Sequence, residues 1–191
     1  MCVEIMLPSP TVNRAHWDKS TVVGPVLDTL RQSGFYWRGI TKEQADIILR
    51  SCDMGAFIIR DSSSPNFLFT LSVRTVFGVT NIRIAMDRGR FSLESIDNEN
   101  SEGPSFKCVV HLIYYYVKNS RHSERHLEDN YLRREPTKYK LFLGRPIYGA
   151  VSSLQHLCRR SIHKQMRPNG VYALPIPAKL KIYISNYQYP I

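Results

Sequence analysis

The stretch Gly55-Ala56-Phe57-Ile58-Ile59-Arg60-Asp61-Ser62-Ser63-Ser64 decides how the rest of the chain is interpreted. Written as a strand it alternates, with Ile58 and Arg60 on one face and Phe57 and Ile59 on the other. An arginine on the inward face of a strand is costly unless an anion meets it. The serines that follow offer hydrogen-bond donors but no charge, so the pattern indicates a phosphate-like ligand held by Arg60 and the serine run.

A simpler interpretation needs no ligand. Arg60 could lie on a surface strand and pair with Asp61 or another carboxylate, because exposed ion pairs are common. The residues that follow predict two more strands, over 67–73 and 79–84, and the first of these places Thr70 and Ser72 on one side. The stretch alone leaves both interpretations open.

Residues 37–45 together with residues 55–64 resemble the first helix and second strand of a Src-homology-2 (SH2) domain, a family that binds phosphotyrosine. The resemblance implies an α+β fold in which two helices flank a central antiparallel sheet. It also implies a set of phosphotyrosine-binding residues, namely Arg60 for the phosphate, Ser62, Ser63 and Ser64 for the loop around it, Thr70 beside it, and Lys42 and Arg83 against the ring.

The third predicted strand is expected to cross the bound peptide at Asn81 and Ile82. Asn81 stands where many members of the family carry histidine, so that contact departs from the pattern. Ile82 is apolar, and we therefore expect a preference for apolar side chains after the phosphotyrosine. Both residues are assigned to peptide specificity.

Local patterns predict the remaining elements. Thr41 can cap a helix over residues 42–49, and Asp87-Arg88-Gly89-Arg90 has the composition of a hairpin turn. An amphipathic helix is expected over residues 106–117, then a long loop over 118–140, and a closing strand at Tyr139–Leu143. Residues 1–21 show no periodicity and are expected to form a flexible arm, followed by a short helix over 22–34 that packs on the domain.

A second signal begins at residue 151, after which six lysines or arginines occur and no acidic residue. One helical face there carries Leu154, Leu157, Cys158 and Ile162. A helix this short cannot bury such a face by itself. The face therefore meets either the preceding domain or a partner protein.

Leu154-x-x-x-Cys158-x-x-x-Ile162, within residues 153–162, resembles the elongin-binding box of the suppressor-of-cytokine-signalling (SOCS) family. Residues 174–187, which begin Leu174-Pro175-Ile176-Pro177, are similar to that family's cullin-binding box. The resemblance implies an SH2 domain over 35–146 and a small all-α SOCS box over 147–191. Residues 109–113, 145–148 and 153–158 look most like the cytokine-inducible SH2 protein type within the family.

This resemblance implies a binding function in which the chain itself catalyses no reaction. It suggests a substrate receptor that captures tyrosine-phosphorylated receptors or kinases and damps cytokine and JAK-STAT signalling. Elongin B, elongin C and a cullin scaffold with its RING protein are the implied partners. No catalytic residue and no cofactor is expected. The rival interpretation is an adaptor that competes for phosphotyrosine docking sites and recruits no ligase.

Composition and cysteine spacing argue against nucleic-acid-binding, metal-binding, disulfide-stabilised and membrane-inserted proteins. The chain of 191 residues has a formal net charge of +10, but its basic residues are spread out and form no nucleic-acid-binding motif. The cysteines at positions 2, 52, 108 and 158 form no CxxC pair, so neither a metal site nor a disulfide framework is expected. No run of 18 apolar residues and no secretory signal pattern occurs, so we expect no membrane insertion and a cytoplasmic location.

Overall fold

The computed structural model describes residues 23–94, 103–132, 141–167 and 170–187, and for 121–132 it describes the backbone alone. The expected arm over residues 1–21 lies outside this part of the chain. The strands are β1 (Tyr36–Trp37), β2 (Phe57–Asp61), β3 (Phe69–Thr75), β4 (Gly78–Asp87) and β5 (Arg90–Leu93). The helices are α1 (Val23–Ser33), α2 (Lys42–Arg50), α3 (Val109–Leu132), α4 (Leu154–Gln165) and α5 (Ala178–Ser185), with a 3-10 helix at Gly170–Ala173.

The strands form one sheet in the order β1-β2-β3-β4-β5. Strands β2 to β5 are antiparallel neighbours, as expected, but β1 runs parallel to β2 with Tyr36 opposite Ile59. The sheet is therefore mixed, and the expectation of an antiparallel sheet is wrong at this edge. The reason is α2, which carries the chain back between β1 and β2, since a crossover connection joins parallel strands.

The two local signals beside the sheet form as predicted. Thr41 caps α2 in a capping box, in which its hydroxyl accepts from the Gln44 N–H and the Gln44 side chain accepts from the Thr41 N–H. The β4–β5 turn places Arg88 and Gly89 at φ 46° and 73°. Two successive positive φ values are typical of the tight hairpin turn that matches strand twist.

The alternation of β2 divides the interior into two apolar clusters. Phe57 and Ile59 belong to the larger cluster, which lies on the side of α1 and α3. Ile58 belongs to the smaller cluster, together with Ala45 and Leu49 of α2. Because Arg60 alternates with Ile59, its side chain lies on the α2 side of the sheet.

Helix α3 is longer than the sequence analysis predicted. The prediction ended this helix at Val117 and placed a loop over residues 118–140, but the helix continues to Leu132. Residues 118–132 contain no glycine or proline that would stop it. The loop prediction is wrong up to Leu132, and residues 133–140 lie outside the described ranges. Among the helices that can be described, none combines the length and apolar character needed to cross a bilayer.

The strand predicted at Tyr139–Leu143 is absent from its described part, residues 141–143. Leu143 is buried there, and its N–H donates to Ser120 Oγ at 3.0 Å. The chain pairs with β2 slightly later, through a parallel bridge between Phe57 and Pro146. The bridge consists of the Phe57 N–H donating to the Arg145 carbonyl and the Ile147 N–H donating to the Phe57 carbonyl. It does not extend along β2 because the next N–H on that edge, that of Ile59, donates to the Phe35 carbonyl.

The C-terminal helices share a core with the sheet domain. Tyr187, just beyond α5, is 2% exposed and belongs to the same buried cluster as Val23 of α1 and Val109 of α3. Burial raises the pKa of its phenol. Helix α5 ends at Ser185, so Tyr187 leaves the helical path and its ring turns inward.

We expect Tyr187→Ala to lower the free energy of unfolding by about 3 kcal/mol or more, because a large buried ring leaves a cavity. Urea denaturation of the full chain measures this loss. Tyr172→Ala is the matched control, since Tyr172 is 70% exposed, and its effect should stay within about 0.5 kcal/mol. Equal losses in the two variants would contradict the shared core.

Candidate functional site

Arg60 is buried, with 2% of its surface exposed, and three neutral acceptors hold its guanidinium. Its Nε donates to Ser72 Oγ at 3.1 Å, its NH2 nitrogen to Asn81 Oδ1 at 3.0 Å, and its NH1 nitrogen to the Asp61 carbonyl at 3.0 Å. A guanidinium carries five N–H groups. Two of them, one on each terminal nitrogen, find no acceptor among the described residues, and such a pair can bind two oxygens of an anion side by side.

The carboxylate of Asp61 is engaged elsewhere. Its oxygens accept from the Tyr36 hydroxyl at 2.5 Å and from the Gly39 N–H at 2.8 Å. Among the residues with described side chains, no carboxylate forms an ion pair with Arg60. The interpretation of Arg60 as half of an ordinary surface ion pair is therefore wrong.

Burial lowers the pKa of Arg60, while the charges of Asp46, Glu43 and Asp61 act in the opposite direction. The group stays protonated because an arginine begins from a very high pKa. A buried positive charge with neutral hydrogen-bond partners favours an anionic ligand.

Ser72 and Asn81 form the support of this guanidinium. Ser72 Oγ donates to Asn81 Oδ1 at 2.7 Å, and the same amide oxygen accepts from Arg60. Asn81 was expected to contact the peptide, whereas the structure places its side chain on the arginine. Ser72 was not among the expected site residues, although its alternation with Thr70 puts it on the Arg60 face.

A row of side chains crosses the sheet from Arg60. Thr70 of β3 lies opposite Arg60, and Arg83 of β4 lies opposite Thr70. Thr70 is buried and Arg83 is exposed. The structure thus brings the expected phosphate-binding and ring-contacting residues onto one face, with the phosphate end deeper than the ring end.

The serine loop connects β2 to β3. The Ser62 N–H donates to the Leu68 carbonyl, and the Ser64 N–H donates to Ser62 Oγ at 3.2 Å. Ser63 is exposed between them. Lys42 is exposed at the first position of α2. These residues occupy the segments that the sequence analysis assigned to the site, and their roles in binding stay predictions.

Ile82 lies on the opposite face of β4. It is buried in the larger apolar cluster on the α3 side, with 4% of its surface exposed. Asn81 and Ile82, which were grouped as specificity residues, therefore point to different sides of the sheet. The expected apolar preference stays a prediction.

Helix α4 has an inverted distribution of polar and apolar residues. It buries His156 and Arg159 and exposes Leu154 and Leu157, which are 76% and 43% accessible. Cys158 is exposed on the same stripe, and Ile162 is half-buried. The segment before α5 is also accessible, with Pro175 and Pro177 exposed and Leu174 and Ile176 half-buried.

Comparison with known proteins assigns the sheet region and the C-terminal helices to two domain types. An SH2 domain model matches residues 35–116, and a SOCS box model matches residues 150–185. The human protein named Suppressor of cytokine signaling 2 is 37% identical over 184 residues, which cover 96% of this chain and 86% of the relative. The chain belongs to the suppressor-of-cytokine-signalling (SOCS) family.

Other SOCS relatives show similar coverage. Suppressor of cytokine signaling 2 from Mus musculus is 38% identical over 165 residues, covering 86% of this chain and 80% of the relative. Suppressor of cytokine signaling 3 from Gallus gallus is 34% identical over 173 residues, covering 85% and 81%. The narrower likeness to the cytokine-inducible type stays a prediction.

Arg159 joins the SOCS box to α1. One terminal nitrogen donates to the Tyr183 carbonyl at 3.1 Å, and the other donates to Gln32 Oε1 at 2.9 Å and lies 2.7 Å from His156 Nδ1. The rings of Tyr183 and Tyr187 lie 4.5 and 4.9 Å from the guanidinium carbon. These contacts fix the SOCS box against the first helix of the chain.

His156 is held neutral in this interface. Because Arg159 can only donate, His156 Nδ1 must accept, and the ring proton belongs on Nε2. Burial, followed by the charges of Arg159 and Arg160, lowers the pKa of His156 to about 4. A second proton would also direct an N–H at the Arg159 N–H groups.

We expect Arg60→Lys to be nearly as damaging as Arg60→Ala, because lysine keeps the charge but lacks the planar fork. Each change should weaken binding of a phosphotyrosine peptide by a factor of tens to thousands, corresponding to roughly 2 to 5 kcal/mol. Isothermal titration calorimetry measures the affinities. Arg38→Lys, at an exposed position, is the control, and an Arg60→Lys variant that binds like wild type would refute this role.

Stability should fall in mild acid through His156. Its folded pKa lies below the unfolded value of about 6.5, so the unfolded chain takes up a proton first as pH falls toward 4. We expect a loss of about 1 to 2 kcal/mol between pH 7 and pH 5, measured by urea denaturation. His156→Gln should reduce this pH dependence, and an unchanged slope would show that other groups cause it.

Proposed function

We propose that this protein is a phosphotyrosine-binding substrate receptor of an elongin–cullin–RING ubiquitin ligase. Its SH2 domain would capture a tyrosine-phosphorylated receptor or kinase, and its SOCS box would recruit elongin B, elongin C and the cullin scaffold. The observation that carries the first half is the buried Arg60, whose two remaining N–H groups have no partner among the described residues.

The depth of the site supports phosphotyrosine over phosphoserine. Arg60 and its neighbour Thr70 are 2% and 3% exposed, whereas Arg83, at the other end of the same row, is exposed. A phenyl ring can span this row and stack against a cationic side chain, while the shorter serine side chain cannot bring its phosphate so deep.

The outward stripe of α4 supports the second half. Leu154, Leu157 and Cys158 are exposed on a helix whose polar residues His156 and Arg159 are buried. An apolar face of this kind fits an apolar groove of another protein, read at positions spaced three and four apart. The residues from Leu174 to Pro177 are the proposed cullin contact.

In this proposal the partner proteins carry out the ubiquitin transfer. The receptor holds its target close to the ligase, and proximity can raise a rate greatly without a reactive side chain in the receptor. The names of the SOCS relatives support negative regulation of cytokine signalling as the pathway. The cytoplasm, where receptor tails and the ubiquitin machinery meet, is the proposed location.

We expect Leu154→Asp combined with Leu157→Asp to abolish co-purification with elongins B and C, because two charges would enter an apolar interface. Phosphotyrosine-peptide affinity should stay within about twofold of wild type, since distant sites act independently. Gln155→Asp, an exposed change beside the stripe, should retain elongin binding and serves as the control.

The same co-purification experiment separates a ligase receptor from an adaptor. If the protein were an adaptor, the wild type would bind phosphotyrosine peptides but would not co-purify with elongins. If the double variant lost elongin binding and peptide binding together, the stripe would stabilise the fold rather than recruit a partner. Either result would count against the ligase role.

A further inference from the structure

Arg83 makes contacts that the phosphate pocket does not explain. Its guanidinium carbon lies over the Phe67 ring, 5.4 Å from the ring centroid, and its NH1 nitrogen donates to Glu94 Oε2 at 3.3 Å. The backbone ties the same pair together, since the Glu94 N–H donates to the Arg83 carbonyl at 2.9 Å. One face and one edge of the guanidinium are therefore occupied within the chain.

The opposite face of the guanidinium is the one left for a ligand. Arg83 belongs to the row that starts at Arg60, and its side chain keeps 53% of its surface exposed. A planar cation can stack on an aromatic ring through each of its two faces. A tyrosine ring whose phosphate reaches Arg60 would lie along this row.

We propose that Phe67 and Glu94 are positioning residues that hold Arg83 flat against the phosphotyrosine ring, an inference that rests on the proposed function. Phe67 supports one face of the guanidinium and Glu94 fixes its edge. The bound ring completes a stack in the order Phe67, Arg83, phosphotyrosine.

Phe67 also connects this stack to the phosphate loop. Its N–H donates to the Ser64 carbonyl at 3.3 Å, which closes the turn after the serine run. Phe67 therefore has two separate contacts, with its backbone N–H closing the serine turn and its ring supporting Arg83. A substitution of the side chain keeps the first contact and removes the second.

Glu94 acts here as a support and not as a competitor. The Arg83–Glu94 pair is exposed, at 53% and 44% of the side-chain surfaces, so its attraction is weak. A phosphate dianion held by the buried Arg60 needs no displacement of Glu94. The pair mainly restricts the rotamers of a long side chain, which lowers the entropy lost on binding.

The test uses calorimetric affinities for one phosphotyrosine peptide at fixed salt. Phe67→Leu keeps apolar bulk but removes the ring, and we expect binding about two- to fivefold weaker. Phe67→Tyr keeps the ring and should bind like wild type. In an Arg83→Ala background, Phe67→Leu should change the affinity by less than about twofold, because the stack is already lost.

Two further readouts separate positioning from general damage. Inorganic phosphate, used as a competitor, should bind Phe67→Leu as it binds wild type, because it reaches Arg60 without a ring. Glu94→Gln should weaken peptide binding slightly, by about twofold. Tighter binding by Glu94→Gln, or an equal Phe67→Leu loss with and without Arg83, would overturn the proposal.

Failure of the underlying function has a different signature. If the wild type binds the peptide equally with and without its phosphate, the phosphotyrosine role itself is wrong and this inference falls with it. If the wild type requires the phosphate and Arg60→Lys abolishes binding, but Phe67→Leu changes nothing, only the positioning role is overturned.

Discussion

A buried positive charge that forms no ion pair with any carboxylate in the described part of the chain is the constraint on which the SH2 half of the molecule depends. The fold holds Arg60 by hydrogen bonds to neutral groups. It surrounds the guanidinium with the oxygens of Ser72, Asn81 and the Asp61 backbone, and it directs the Asp61 carboxylate to Tyr36 and Gly39. Neutral acceptors orient the guanidinium and leave its charge available for the proposed phosphate ligand.

The strand register makes this arrangement possible. Ser72 lies opposite Ile58 and Asn81 lies opposite Ser72, two residues along the strands from the row that contains Arg60 and on the same face. A slip of one residue would turn each of these side chains to the other face. The apolar residues that alternate with them pack in the larger cluster and so keep the polar row aligned.

Local features of the chain could be predicted from the sequence because their causes are local. The Thr41 cap, the Arg88-Gly89 turn and the alternation around Arg60 each depend on neighbours within a few residues. The parallel edge strand and the bridge at Pro146 depend on partners far along the chain, and their pairing leaves no periodic signal. The length of α3 was missed because a charged, polar stretch was interpreted as a loop.

The candidate site divides in the same way. Arg60 could be found in the sequence because it is a charged residue on an inward strand face. The apolar stripe of α4 could be found because its residues recur at helical spacing. The contacts of Asn81 with Arg60 and of Phe67 with Arg83 require the strands to be aligned first. Periodicity also cannot tell which side of α4 is buried, and here the buried side carries His156 and Arg159.

Tyr187 has a consequence for biosynthesis. Its ring belongs to the same buried cluster as Val23 and Val109. The ribosome must therefore have synthesised the chain from Val23 to Tyr187 before this core can be completed. A nascent SH2 domain stays incompletely packed until its SOCS box has been made. Chains that stop early would expose apolar surface to chaperones and proteases, so a fragment that lacks the SOCS box would be removed before it could accumulate.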